Sequence, residues 1–182
     1  MQIGLSSWII QDGNYPDFAV GDVAKFALEF YAPQLQRTSD REPALTPSHP
    51  AHYRMSACVR YSHSEACVLD FGCLAYREEP ILDIASVGDW VSGDVYVGID
   101  PFFYMESLHA LPGIPELRYD WRIEEILLET TPWISTRDSG GREVRTRDES
   151  LRSFRSITQT DAWRDDGGHA HYVFRCLRLD HA

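Results

Sequence analysis

Lysine is all but missing from this chain: 16 of its 17 basic residues are arginine, and the one lysine is Lys25. Any lysine-dependent chemistry therefore has to use that residue. The G-x-x-x-x-G-K-[ST] loop, in which backbone amides cradle phosphates while a lysine reaches the terminal ones, is absent. A Schiff base or a kinase-like ATP site would rest on Lys25 alone, flanked by Ala24 and Phe26 in a strand-like run. A lysine in that setting is ordinarily a solvated or edge-guarding charge. Basic charge is scarce altogether, 17 residues against 28 acidic ones for a formal net charge of −11. That balance argues against a nonspecific electrostatic grip on nucleic acid or on an anionic membrane.

Cysteine is sparse as well. Cys58, Cys67, Cys73 and Cys176 stand at intervals of 9, 6 and 103 residues, with no C-x-x-C pair, so zinc-ribbon and dithiol redox readings lose their signature. All four lie in apolar, strand-like sequence, where a reduced cysteine acts as a small core hydrophobe. Long hydrophobic runs are missing too. Residues 1–10 carry no basic region, and their short apolar stretch stops at Gln11 and Asp12, so neither a signal peptide nor a membrane span is expected and a reducing cytoplasm fits best. H-E-x-x-H, D-x-[DN]-x-[DN]-G, G-x-G-x-x-G and G-x-S-x-G do not occur. No cofactor is implied.

What remains is the composition of an ordinary globular domain: 182 residues, 43% hydrophobic, 12% aromatic and 25% charged. A chain of this size buries roughly 70% of its unfolded surface, enough for a core without disulfides or a structural metal. One domain over residues 1–182 is expected. Its apolar segments are short, rich in β-branched and aromatic residues and bounded by Gly, Pro, Asn or Asp, and none sustains a long helical stripe. The pattern predicts an all-β domain of about nine or ten antiparallel strands, a β-barrel or a β-sandwich. Candidate strands are residues 2–10, 23–31, 53–61, 66–76, 80–85, 94–104, 119–130, 142–146, 153–160 and 169–179.

Within residues 66–76, Cys67, Leu69, Phe71 and Cys73 face one side while Val68, Leu74 and Tyr76 face the other, which predicts a strand covered on both faces. Tyr119, Trp121 and Ile123 alternate, and the shift to Ile126 and Leu128 needs one extra residue at Glu124 or Glu125, a bulge rather than a helix. Leu151 and Phe154 after Asp148-Glu149-Ser150 fit one short helix as well as a strand. Asp165-Asp166-Gly167-Gly168 reads as a tight hairpin between residues 158–163 and 169–179, and Gly140-Gly141 as a turn between 133–136 and 142–146. Residues 33–50 hold four prolines with no apolar period and read as a long loop.

Two places carry candidate chemistry. His169 and His171 are alternate residues of an expected strand, so both imidazoles would point the same way and could chelate one divalent ion. Only Asp180 and His181 follow downstream, and His52, His63, His109 or Glu125 would have to complete a site in space. Acidic residues are too many to single out a catalytic pair. The second place is an interface. Trp90, Trp133 and Trp163 fall beside turns, where aromatics anchor partners, and residues 1–118 hold 16 acidic against 7 basic groups. Trp90 sits among Asp83, Asp89 and Asp94. The leading expectation is a non-catalytic protein-interaction module, of immunity or adaptor type, for a basic protein. A small-molecule or metal-dependent barrel enzyme using His169 and His171 is the alternative. An oligonucleotide-binding barrel comes third, demoted by the charge.

Overall fold

The computed structural model describes residues 1–81, 83–137 and 139–179. The chain is 49% strand and contains a closed five-stranded β-barrel with further strands attached. In order, the elements are β1 (Gln2–Ser6), α1 (Ser7–Gln11), β2 (Val23–Phe26), β3 (Leu28–Tyr31), β4 (Gln36–Arg37), β5 (Ala44–His49), β6 (His52–Ser62), β7 (Cys67–Asp70), β8 (Leu74–Arg77), β9 (Trp90–Ile99), α2 (Phe103–Glu106), β10 (Tyr119–Glu129), β11 (Trp133–Arg137), β12 (Glu143–Arg147), β13 (Phe154–Ile157) and β14 (His171–Leu179).

Strand pairing runs β9–β3–β8–β7–β6 and returns to β9, which closes the barrel. Inward alternation fills it: Tyr53, Met55, Ala57 and Val59 of β6 meet Val91, Val95 and Val97 of β9 in one core. Residues 23–31 do not form one strand. Phe26 and Leu28 are both in the main core and Ala27 between them packs in a second cluster, so the alternation continues while the ladder partner changes. The first half pairs with β10 and the second with β9. The layer β10–β14–β1 joins the barrel at both ends, β10 through β2 and β1 through β9. Trp121 seals the junction, stacked on Phe26 at 5.8 Å, and its indole N–H donates to the Phe26 carbonyl at 3.3 Å.

Several sequence expectations hold. β10 has its register shift between Ile123 and Glu125. β11 and β12 form a separate hairpin about the Gly140-Gly141 turn. Residues 66–76 are covered on both faces, because Cys67 and Leu69 enter the main core while Val68 and Tyr76 pack under Tyr104, Leu108 and Leu117.

Others are corrected. Residues 66–76 are two strands, folded back at Gly72, whose φ of 108° suits glycine. The segment 33–50 is not an unstructured loop: β4 pairs with β9, and β5 lies along β6 with a bulge near its prolines, where a ladder donor is missing. Residues 2–10 leave the strand at Ser7, where one helical turn over Ser7–Gln11 buries Ser7, Ile9 and Ile10 and leaves Trp8 exposed. In 94–104 the strand starts earlier, at Trp90, and stops at Asp100-Pro101, where proline has no N–H to give. Ile81 begins a turn rather than a strand, with Ile84 and Ala85 N–H donating to its carbonyl.

The expected C-terminal hairpin does not form. Asp166, Gly167 and Gly168 all take positive φ, as their types allow, but they build a 3₁₀ turn over Asp165–Gly168. β14 then pairs with β1 and β10. Residues 149–151 form only a 3₁₀ turn capped by Asp148, and β13 follows. Finally, the sheet is not purely antiparallel, for β1 meets β9 and β3 meets β8 in parallel, each by a single residue pair.

Candidate functional site

His169 and His171 are not alternate residues of one strand. His169 is exposed at the end of the Asp165–Gly168 turn with φ −116° and ψ 28°, so only His171 begins β14. His169 lines a cavity of about 570 Å³ with Trp133, Arg145, Asp166 and Gly167. His171 is in another setting: its Nε2 is 3.4 Å from the Tyr96 hydroxyl and its Nδ1 is 3.9 Å from a Glu129 carboxylate oxygen. Burial pushes the imidazole below its ordinary pKa against the pull of Glu129, which favours the neutral ring. Of the other candidates, His52 packs near Tyr96, His63 stacks on Tyr61, His109 packs on Tyr104, and Glu125 pairs with Arg175. Asp180 and His181 lie outside the described residues. No group of three or more possible metal ligands exists among the described residues.

Trp90 is half-buried as the first residue of β9, opposite Cys58, and its carbonyl accepts from Thr38 N–H at 3.0 Å. The carboxylates near it in sequence are engaged. Asp89 accepts from Ser86 N–H and pairs with Arg37 at 3.1 Å, and Asp94 pairs with Arg54 at 3.4 Å. Asp83 is exposed in a turn. These residues do not form an uncompensated acidic patch around an exposed tryptophan.

A denser run of aspartates lies beside two other tryptophans, although there too Asp161 pairs with Arg164 at 3.7 Å and Asp166 with Arg147. Trp163 is 68% exposed and Trp8 48%. Gln11 ties their segments together, since its side-chain amide donates to the carbonyls of Ala162 at 2.7 Å and Gly168 at 2.9 Å. The stretch after α1 runs along the same turn: Asp17 accepts from the Thr160 hydroxyl and Ala162 N–H, Phe18 N–H donates to the Thr160 hydroxyl oxygen, and Thr160 N–H donates to the Phe18 carbonyl. Residues 1–24 contain no lysine or arginine but hold Asp12, Asp17 and Asp22. Residues 158–170 add Asp161, Asp165 and Asp166 against Arg164 alone. Each carboxylate also closes a turn or anchors a side chain. Asp165 accepts from Asp161 N–H and the Tyr172 hydroxyl, while Asp166 holds the Trp133 indole and the Arg147 guanidinium. Charge is thereby fixed on a rigid surface rather than on mobile side chains. Trp163 was legible as a turn-side aromatic; Trp8 was hidden by the assumption that its strand continued.

Tyr96 is a second residue that sequence reasoning passed over. Its ring lies across two glycines on neighbouring strands, Gly4 of β1 and Gly98 of β9, in the space their missing side chains leave. This brings its hydroxyl over to His171. No family model matches the chain, and no curated protein or solved structure matches it either.

Proposed function

We propose that this chain is a non-catalytic protein-interaction module whose acidic end, bearing Trp8 and Trp163, docks a basic protein. One observation carries the reading: the two exposed tryptophans stand on segments stitched together by Gln11, among six aspartates of which Asp161 pairs with Arg164 and Asp166 with Arg147. Exposed indoles on a rigid base are the side chains that dominate interface energies, and surrounding like charge selects a partner of opposite sign. Neutralising a harmful basic protein, as immunity-type proteins do, is one form of this role. An enzyme centred on His169 and His171 is less favoured, because the two imidazoles face different surroundings.

The test is capture of a partner from native lysate, followed by affinity measurements with folded Trp8→Ala and Trp163→Ala proteins at several salt concentrations. Loss of at least one anchor should cost about 2 kcal/mol or more, roughly 30-fold in affinity, and association should slow as salt screens the aspartates. Recovery of no basic partner, or a partner that binds both variants as tightly as wild type with no salt dependence, removes the proposal.

A further inference from the structure

Pairing registers place four ring-bearing residues on one row across the barrel. Tyr31 of β3 is opposite Tyr96 of β9, Tyr96 is opposite His52 of β6, and His52 is opposite His49 of β5. Val95, Val97 and Tyr53 point into the core, so by alternation Tyr96 and His52 lie on the outer face. The His52 and Tyr96 centroids are 5.1 Å apart, those of His49 and His52 6.5 Å, and those of Tyr96 and His171 6.1 Å. Tyr31 is 65% exposed. These rings, with Ser48 and Asp94, line an open cavity of about 390 Å³.

Two carboxyl groups flank the row, of which Glu29 is raised by burial to about 7 and carries only part of its charge at neutral pH. Asp94 is two residues from Tyr96 on the same face of β9, and Glu29 is two residues from Tyr31 on β3, beside Gly98. Tyr96 feels Glu29 and Glu129, which together with burial keep its hydroxyl protonated. Asp94 already pairs with the Arg54 guanidinium at 3.4 Å, both groups are exposed, and an incoming guanidinium competes with Arg54 for this acceptor. Among the described residues no lysine or arginine lines the cavity, so a phosphate or carboxylate ligand would meet Asp94 without a lining cation. A nucleic-acid strand would meet the same obstacle, because stacking platforms work together with a basic groove for the backbone.

We propose that the row Tyr31–Tyr96–His52–His49 is a binding site for a guanidinium group. A planar, weakly hydrated cation stacks on ring faces, and Asp94 and Ser48 supply acceptors at the rim for its N–H donors. An ammonium is a strongly hydrated point charge and gains less from the same rings. None of the residues lining this cavity belongs to the tryptophan-bearing segments, and the proposal does not depend on them.

The experiment is titration of the full chain with methylguanidinium, followed through the backbone amide NMR signals of Tyr31, His52, Val95 and Tyr96. Urea, planar but uncharged, and methylammonium, charged but not planar, are titrated alongside. Methylguanidinium should shift these four signals with a dissociation constant in the millimolar range, and both controls should bind more weakly. Tyr31→Ala, a change at an exposed position, should weaken binding by about five-fold, and Asp94→Asn should weaken it also. A blocked Gly-Arg-Gly tripeptide separates the sources: tighter binding than methylguanidinium assigns the site to an arginine side chain of a protein, and exclusion of the tripeptide assigns it to a free guanidinium compound. No shift at these signals up to about 50 mM, urea binding as tightly as methylguanidinium, or an unchanged affinity in both folded variants overturns the proposal.

Discussion

Replacing Gly4 with alanine adds one methyl group, yet the surroundings of that methyl make the consequence large. A Cβ at this position would sit 1.8 Å from the Tyr96 hydroxyl oxygen, 2.4 Å from Cζ and 2.7 Å from a ring Cε. Ordinary contact begins near 3.4 Å. The ring must therefore lift off β1 by well over an ångström, and its hydroxyl leaves His171. If about 60 Å² of ring surface returns to water, the cost at about 25 cal/mol/Å² is about 1.5 kcal/mol, and a half-displaced hydroxyl adds to it. For a domain of this size that lowers the melting temperature by roughly 3–6 °C.

The structure also says where the penalty resides, and a double-mutant cycle reads it. In a Tyr96→Ala background the three atoms nearest the new methyl are gone, and alanine is the better strand residue, so Gly4→Ala should become neutral or slightly stabilising. Gly93 is the contrasting case. Its Cβ would stand 2.5 Å from the carbonyl oxygen of Gln34, a backbone atom, so Gly93→Ala should destabilise by a similar or larger amount that no side-chain truncation relieves. Urea denaturation of the four proteins of the cycle gives the coupling energy. If Gly4→Ala costs nothing in the wild type, or the same in both backgrounds, Tyr96 does not occupy the glycine trough and the reasoning fails.

Three further outcomes follow from buried polar groups and from Trp90. Burial, helped by Asp100 and Glu78, raises the Glu29 carboxyl from 4.5 to about 7, so the folded state holds this proton more tightly than the unfolded state and stability falls as pH rises from about 4.5 to 7. Glu29→Gln should remove that slope and raise stability at pH 8 by about 1–3 kcal/mol; parallel stability–pH curves for the two proteins would contradict it. Tyr76→Phe removes the hydroxyl that donates at 2.5 Å to Asp100, which is only 1% exposed. A hydrogen bond to a buried carboxylate is worth about 1.5–3 kcal/mol, and thermal unfolding at neutral pH should show that loss. Trp90→Ala should lower the melting temperature without a separate effect on partner binding, because Trp90 is a half-buried strand residue, and a folded variant with weakened binding would restore it as an anchor.

The strand content was legible because alternation is local. Tyr119, Trp121 and Ile123 followed by Ile126 and Leu128 declare both a strand and its bulge, and the register shift in β10 falls there. The break at Ala27 was not legible. Phe26, Leu28 and Phe30 keep the same period on both sides of it, and what divides the run is that Val23–Phe26 and Leu28–Tyr31 have different distant partners. Period fixes faces, but long-range pairing fixes where one ladder ends. The Asp-Asp-Gly-Gly turn shows the same limit, since its residues take the positive φ they favour, while their role as a hairpin depended on residues 158–163 pairing with β14. That edge of β14 belongs instead to β10, whose apolar face is longer and buries Trp121, Ile123, Ile126 and Leu128.

The candidate surfaces depend still more on register. His169 and His171 looked like a pair because only sequence spacing was in view, and a turn ending one residue before the strand separates them. Tyr31, Tyr96, His52 and His49 carry no motif, and each alone reads as an unremarked strand residue. They become a row only when β3, β9, β6 and β5 are aligned, and a slip of one residue in any pairing would turn one ring into the core. The row is thus held by the interior. Val95, Val97 and Tyr53 fix which way their neighbours face, and Gly4 with Gly98 fixes how close the Tyr96 ring lies to the sheet. A variant that perturbs the outer row from inside, such as Gly4→Ala, should therefore disturb guanidinium binding and stability together. Tyr31→Ala, at an exposed rim, should disturb binding alone. That divergence separates a site built by the fold from a chance grouping of rings.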